Sequence, residues 1–436
     1  MQFRRDSKTL LNLALPMIIS NIALPLVGIV DTAIVGHLGS TDLLAGVALG
    51  SIIITQIYWI CGFLRMTTTG KSAILLGAQD HSGSRLLLQQ SLLLSLFLGL
   101  VLIAAQSPLL HLGLVLGDAN NSVANAASEY FNIRVWGAIF ALANLSLIGW
   151  MIGQQMHSQV MKLQIMTNLL NVLLSYTLAI VFDLGISGVA IATVISEGLL
   201  TLFALLIINK KHAAFLKTDF TLIGLSELLI TNNAMFLRNI ILQLSLAFIT
   251  YSGLRLGAAY GAANALLMQF FVLIALGLDG VAYAVEALVG QANGRRDQNA
   301  IRRWITVASF WSTGVAVVYG IVFWFLGDAI LQMLTDIPEV IATATQFLPF
   351  IVALPIIAHW CFLYDGVYIG LDRADIMRNT MLMSLLLGLL PVWWLTQSMH
   401  NEGLWISFLA FLAFRGATLF LHLRYYAFNA SNINQG

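Results

Sequence analysis

Apolar residues fill the chain in long runs, and the polar positions fall mostly at the breaks between them. The runs lie at about 10–36, 45–70, 86–107, 124–152, 161–182, 186–208, 228–253, 262–290, 303–326, 340–368, 376–398 and 403–426. Each is long enough to cross a bilayer as a helix, because about 20 apolar residues at 1.5 Å rise suffice. A lipid interior leaves the backbone no hydrogen-bond partner but itself, so the pattern predicts an all-α membrane protein of twelve transmembrane helices.

The breaks set the orientation. With the N-terminus inside, the inner connections carry Arg4, Arg5, Lys8, Arg85, Lys162, Lys210, Lys211, Lys217, Arg295, Arg296, Arg302, Arg303, Arg373, Arg378 and Arg424. The outer connections carry Arg255 alone. Basic residues stay on the cytoplasmic side, so both termini are expected there. The outer breaks hold acids instead, among them Asp118, Asp328 and Asp336.

The longest inner connection, NKKHAAFLKTDFTL, falls at the midpoint and points to an internal repeat. LGSTDLLAGVAL from Leu38 resembles LGAAYGAANALL from Leu256, an offset of 218, and the stretch from Ile152 resembles that from Ile369, an offset of 217. Two six-helix lobes are expected, 1–217 and 218–436. An even number of spans per half gives both the same orientation, with a pseudo-two-fold axis along the membrane normal.

Polar residues inside the runs are the candidates for chemistry. The first run carries Pro16 and Pro25, each of which removes a backbone donor and favours a bend. Near its far end stands one carboxylate, Asp31, flanked by Gly28 and Gly36. A charge in the bilayer costs at least a few kcal/mol, so Asp31 reads as functional before it reads as a snorkelling anchor. On the fifth run Gln164, Asn168, Asn171 and Ser175 recur at spacings of four, three and four, one helical stripe. That stripe suits interhelical hydrogen bonding and a cavity lining equally. Asn144 and Thr193 are candidates for the same cluster. The second half has Arg238, Asp279, Glu286, Asp365 and Arg415, whose mixed signs suit a structural charge network more than an ion site. Arg65 and Lys71 read as cytoplasmic anchors, and Glu197 has no partner visible in the sequence.

Composition narrows the function. The chain of 436 residues is 59% hydrophobic and 9% charged, against about 25% charged in soluble domains. A net charge of +1 on dispersed residues gives no surface for nucleic acid. Cys61 and Cys361 lie 300 residues apart in apolar runs, so neither a disulfide nor a metal site is expected. The first apolar run is too long for a signal-peptide core and is expected to remain as a span. No GxxxxGK[ST] loop is present and the eight histidines are scattered, which argues against ATP-driven transport and against a membrane enzyme. The 14 methionines suit an adaptable apolar cavity as well as plain packing.

Several stretches carry a resemblance: LALPMIISNIALPLVGIVDTAIVGHLG, FLRMTTTGKSAILLGAQ, the NLLN of the fifth run, LDGVAYAVEALVGQANGRRD and LYDGVYIGLDRADIMRNT. They resemble the multidrug and toxic compound extrusion (MATE) family, most closely its DinF-like branch, along essentially the whole chain. The resemblance implies a multi-pass transporter of the bacterial inner membrane that exports varied, often cationic or amphipathic drugs by cation antiport. It implies small-molecule drug substrates, a monomer among membrane lipids and no cofactor. It places the protonation site at Asp31 and the bending point at Pro16. Family members pair that aspartate with an Asn and an Asp one turn apart on the fifth span; here the first is Asn171 and the second is Ser175. One carboxylate favours a proton over sodium, since hard cations want several oxygens with compensating charge.

The expected coupling site is therefore Asp31 with Asn168, Asn171, Asn144, Thr193 and Ser175. Pro16 and Pro25 are the hinge candidates, and the substrate cavity is expected at Asp31, Gln164, Asn168 and Asn171. Two other transport readings compete. A major facilitator carrier would need a basic-glycine loop that AQDHSGSR at 78–85 lacks. A lipid-linked precursor flippase would need a cationic cavity, whereas the polar set of the first lobe is neutral or acidic.

Overall fold

The computed structural model describes residues 2–36, 41–211, 221 and 224–433. These residues form sixteen α-helices and no strand. In chain order they are α1 Gln2–Gly36, α2 Thr41–Ile60, α3 Phe63–Gly77, α4 His81–Ala104, α5 Gln106–Leu116, α6 Asn121–Arg134, α7 Ala138–Gly153 and α8 His157–Tyr176. There follow α9 Gly185–Lys211, α10 Leu225–Arg255, α11 Ala258–Gly294, α12 Gln298–Leu334, α13 Pro338–Gly370, α14 Ala374–Met383, α15 Leu390–Thr396 and α16 His400–Ile433.

Eleven helical stretches are long and apolar enough to cross a membrane, and the last of them, Ala374–Tyr425, holds two antiparallel passes. The chain reverses there through a short 3-10 turn, Gln397–Met399, and His400 at φ 51°. Gly403 sits so close to the Thr396 carbonyl that a Cβ would lie 2.2 Å from it. The described residues thus supply twelve apolar passes of sufficient length.

The chain divides into two compact units, Ile19–Asn232 and Met1–Ile18 with Asn233–Gly436. This differs from a division at 217/218 at two places: the start of the first helix goes with the second unit, and α10 as far as Asn232 goes with the first. The start of α1 packs on α11 and α12: Asp6 pairs with Arg303 at 3.1 Å, Phe3 meets Phe310 edge-on at 5.5 Å, and Gly280 lies against Ala14 and Ile18. The rest of α1, Pro25 and Asp31 included, belongs to the first unit. The change of unit falls two residues after Pro16.

The sequence repeat is a repeat of contacts. In the first unit Gly149 of α7 lies against the Arg65 backbone of α3, and Gly153 against Thr69 and Ser72. In the second unit Gly366 of α13 lies against the Ala282 backbone of α11, and Gly370 against Glu286 and Val289. Every member of the second set stands 217 positions after its counterpart. The turns repeat too. Left-handed residues occur at Gln79 and Arg296, Gln155 and Asp372, Asp183 and His400. Asp80 and Asp297 each cap the following helix by accepting from the backbone N–H three residues on. The physical reason is shared: helices in lipid gain nothing from hydrophobic association, and small residues four apart let backbones approach.

The second unit has an aromatic core that includes Phe270, Phe323, Phe347, Trp405 and Phe408. In the first unit one cluster joins Ile34 and Val35 of α1 to Val47 of α2, Tyr130 of α6 and Val189 and Ala190 of α9. That cluster holds the end of α1 and so places Asp31.

Candidate functional site

Asp31 is half-buried, and its Oδ1 is fully enclosed without a hydrogen-bond partner among the described residues. Ser175 is the polar side chain that bears most directly on this carboxyl, yet its Oγ does not reach hydrogen-bond geometry. Two further buried atoms on α8 share that condition, Asn168 Nδ2 and Asn171 Oδ1. Such atoms are rare in proteins because each forfeits a hydrogen bond it had in water. Here four of them stand on α1 and one face of α8.

The helical stripe predicted on α8 forms. Asn171 and Ser175 are buried and Gln164 and Asn168 half-buried, while Lys162, Met166, Leu169 and Leu173 occupy the opposite, exposed face. Gln164 accepts from Ser20 Oγ at 2.5 Å, which fastens α8 to α1 one turn beyond Pro16. Asn171 Nδ2 donates to Thr193 Oγ1 at 3.2 Å, which in turn donates to the Val189 carbonyl at 3.1 Å. Directly after Ser175 and Tyr176 the helix widens into a π-helical turn, Thr177–Val181, a distortion that often accompanies functional sites. A cavity of about 520 Å³ opens on the other side of α8, lined by Ile165, Met166, Leu169, Leu170, Leu173, Phe203 and Lys162. It is apolar, and none of the stripe's amides lines it.

Asn144 bonds to α9 one turn beyond the Thr193 that Asn171 holds. Its Nδ2 donates to the Glu197 carbonyl at 2.9 Å and its Oδ1 accepts from Thr201 at 2.8 Å, so it ties α7 to α9. Beside it lies the partner of Glu197 that the sequence left unnamed. Arg134 of α6 holds the Glu197 carboxylate in two bonds, at 3.1 and 3.2 Å. Arg134 escaped the sequence reading because it sits inside the fourth apolar run and was not a loop charge. The available signal was two opposite charges within runs four and six of one half.

In the second unit Asp365 Oδ2 accepts from both Arg238 and Arg415, and all three residues are buried. Arg238 also donates to Asn239 at 2.9 Å. Asp279 is near enough for its charge to act on both arginines, and Glu286 is buried two turns further along α11. A carboxylate already shared by two guanidinium groups offers a metal cation poor ligation. Lys71, expected as a bare anchor, pairs with Glu227 at 3.1 Å. Among the described residues no group of three His, Cys, Asp or Glu is placed to hold a metal ion.

The fold is that of a helical membrane transporter. At TM-score 0.86 it matches a MOP superfamily transporter from Pyrococcus furiosus, covering 97% of this chain and 96% of that one at 18% identity. It matches the outward-facing structure of a multidrug resistance MATE family transporter with the same score, identity and coverage. The MatE family profile matches twice, over residues 16–177 and 234–394, two stretches that reproduce the internal repeat. DNA damage-inducible protein F of Escherichia coli strain K12 is 37% identical over 423 residues, covering 95% of this chain and 91% of that relative. The probable multidrug resistance protein NorM of Thermotoga maritima is 24% identical over 356 residues, 77% of this chain and 73% of its own. The chain belongs to the MATE family of multi-pass membrane transporters.

Proposed function

We propose that this protein exports drugs, chiefly organic cations and amphipathic compounds, in exchange for protons that load on Asp31. The observation that carries the reading is the set of buried, unmatched polar atoms on α1 and one face of α8: Asp31 Oδ1, Ser175 Oγ, which bears on it, and Asn171 Oδ1 and Asn168 Nδ2 one and two turns back along α8. A protonated acid donates and an ionised one accepts, and an amide can answer either. The site is thus equipped for a group that changes charge. Drug export is supported by relatives named for multidrug resistance in Thermotoga maritima and multidrug export in Staphylococcus aureus.

The exchange follows from charge. Ionised Asp31 attracts a cationic drug; loading a proton removes that negative charge and lets the drug leave. Pro16, beside the point where α1 passes from one compact unit to the other, absorbs the accompanying bend, with Pro25 the second candidate. One proton moving down about 100 mV and one pH unit supplies roughly 2.3 plus 1.4 kcal/mol, enough to concentrate a neutral compound several-hundred-fold.

A proton is favoured over sodium because Asp31 has no second carboxylate on α8 and Asp365 is occupied by arginines. We place the protein as a monomer in the bacterial inner membrane with both termini cytoplasmic. Cysteines introduced at 118 and 333 then label from outside, and those at 297 and at 212, which lies outside the described residues, from inside. Proteoliposomes with imposed gradients test the coupling ion: a proton gradient alone drives export, and equal transport on a sodium gradient at constant pH contradicts the reading.

A further inference from the structure

We propose that Arg134 and Glu197 are the positioning residues of the proton site, a fixed pair of opposite charges that sets how readily Asp31 exchanges its proton. The inference rests on Asp31 being that site. It starts from the ion pair itself, which lies on α6 and α9 and is held by four independent contacts. The carboxylate is gripped in two bonds by one guanidinium. Its backbone carbonyl accepts from Asn144 and from Thr201. Gly137 closes over it, since a Cβ there would stand 2.6 Å from Glu197 Oε2 and 3.2 Å from Arg134 Nη1. A pair built this tightly, with Arg134 buried and Glu197 half-buried, does not turn freely, and interhelical glue does not need charge.

α6 packs beside the end of α1. Tyr130, one turn before Arg134 on α6, belongs to the core cluster that holds Ile34 and Val35, the residues one turn past Asp31. Arg134 is the cation whose charge bears on the Asp31 carboxyl. The other titratable groups that face this cluster are few: Tyr58 of α2, with Cys61 beside it, Tyr130 of α6 and Glu197 of α9. The packed faces of α7 and α8 carry the neutral groups Asn144, Asn168, Asn171 and Ser175, and the buried His157 stands at the other end of α8, 18 residues before Ser175. Glu129 is exposed and bonded to Ser187 at 2.6 Å. With Arg134 and Glu197 cancelling, the cluster carries one negative charge when Asp31 is ionised and none when it is protonated. That is the charge change an exchange of one proton for one cation requires, and it needs no second carboxylate on α8.

The counterpart positions in the second half show that the pair is not part of the repeated scaffold. Residues 217 later are Ile351 and Phe414. The contacts that build the helices recur; this pair does not.

The test is the external pH of half-maximal drug efflux in proteoliposomes, a midpoint that is independent of how much protein is present. Glu197→Gln frees Arg134 to neutralise Asp31 and lowers the midpoint by about one pH unit, tenfold in proton concentration. Arg134→Gln leaves Asp31 near an unbalanced carboxylate and raises it by a similar amount. Glu197→Asp, which keeps the charge, stays within a few tenths of the unmodified protein. Where a single variant does not accumulate, the double Arg134→Gln/Glu197→Gln strands no buried charge and decides the matter. Its midpoint rises, because the charge that bears on Asp31 is among those lost. Shifts of one sign in both single variants, or an unmoved midpoint in the double, overturn the proposal. Asp31→Asn is the control: if it keeps pH-dependent efflux, the reading of Asp31 itself has failed; if it loses efflux while Glu197→Gln titrates normally, only the role of the pair has.

Discussion

Asn171 and Thr193 are joined through one side of the amide only: Nδ2 donates to the Thr193 hydroxyl at 3.2 Å, while Oδ1 is buried and unmatched among the described residues. The bond fixes which way the amide faces. Thr193→Val keeps the shape and removes the acceptor, leaving both ends of the amide unmatched. A cost of about 1–3 kcal/mol is expected. Melting temperature in detergent measures it. An unchanged melting temperature would mean that the hydroxyl does not hold Asn171.

The arginine-bound carboxylate of the second unit predicts a sharper loss. Asp365→Ala strands Arg238 and Arg415 together in a buried site, and breaking such a group costs about 3–5 kcal/mol. The variant should melt far below the parent or fail to accumulate. Sodium should leave the melting temperature of the parent unchanged, whereas a sodium-dependent rise would make this cluster a cation site.

Asp80 and Asp297 perform the same task 217 positions apart, and each is expected to contribute about 1 kcal/mol as an N-cap. Bonds from the Gly83 amide and the Ser82 hydroxyl hold the Asp80 carboxyl below the usual carboxylate value. A depressed folded value stabilises above the unfolded one and loses that contribution as pH falls through the folded value. Asp80→Ala should therefore cost its full amount at neutral pH and nothing once the pH is well below about 3.9. Melts at both ends of that range check it.

Much of the fold was legible because lipid imposes one simple rule, and the apolar runs and basic breaks obey it. The repeat was visible in two weak matches because the contacts that build each half need small residues at Gly149, Gly153, Gly366 and Gly370, which the sequence displays directly. The change of unit within α1 at Ile18 was not legible, since what assigns the start of that helix to the second unit is Gly280 and Arg303, far away in the chain. At the site, Asp31 and the α8 stripe showed themselves by being polar where neighbours are not. The pairing of Arg134 with Glu197 did not, because a charge within a run names no partner until the helices are packed. The same holds for Asn144, which shares the composition of the stripe and yet bonds to a different part of α9.

Asp31 carries the account, and one variant tests it. Asp31→Asn copies the protonated side chain without its ability to release the proton. It removes a buried charge that nothing fully matches, so it should fold and reach the membrane. Drug efflux under an imposed proton gradient, measured beside expression level, is the decisive observation. The expected result is normal expression with efflux reduced to the leak. Near-normal proton-driven efflux at normal expression would contradict the account at its centre.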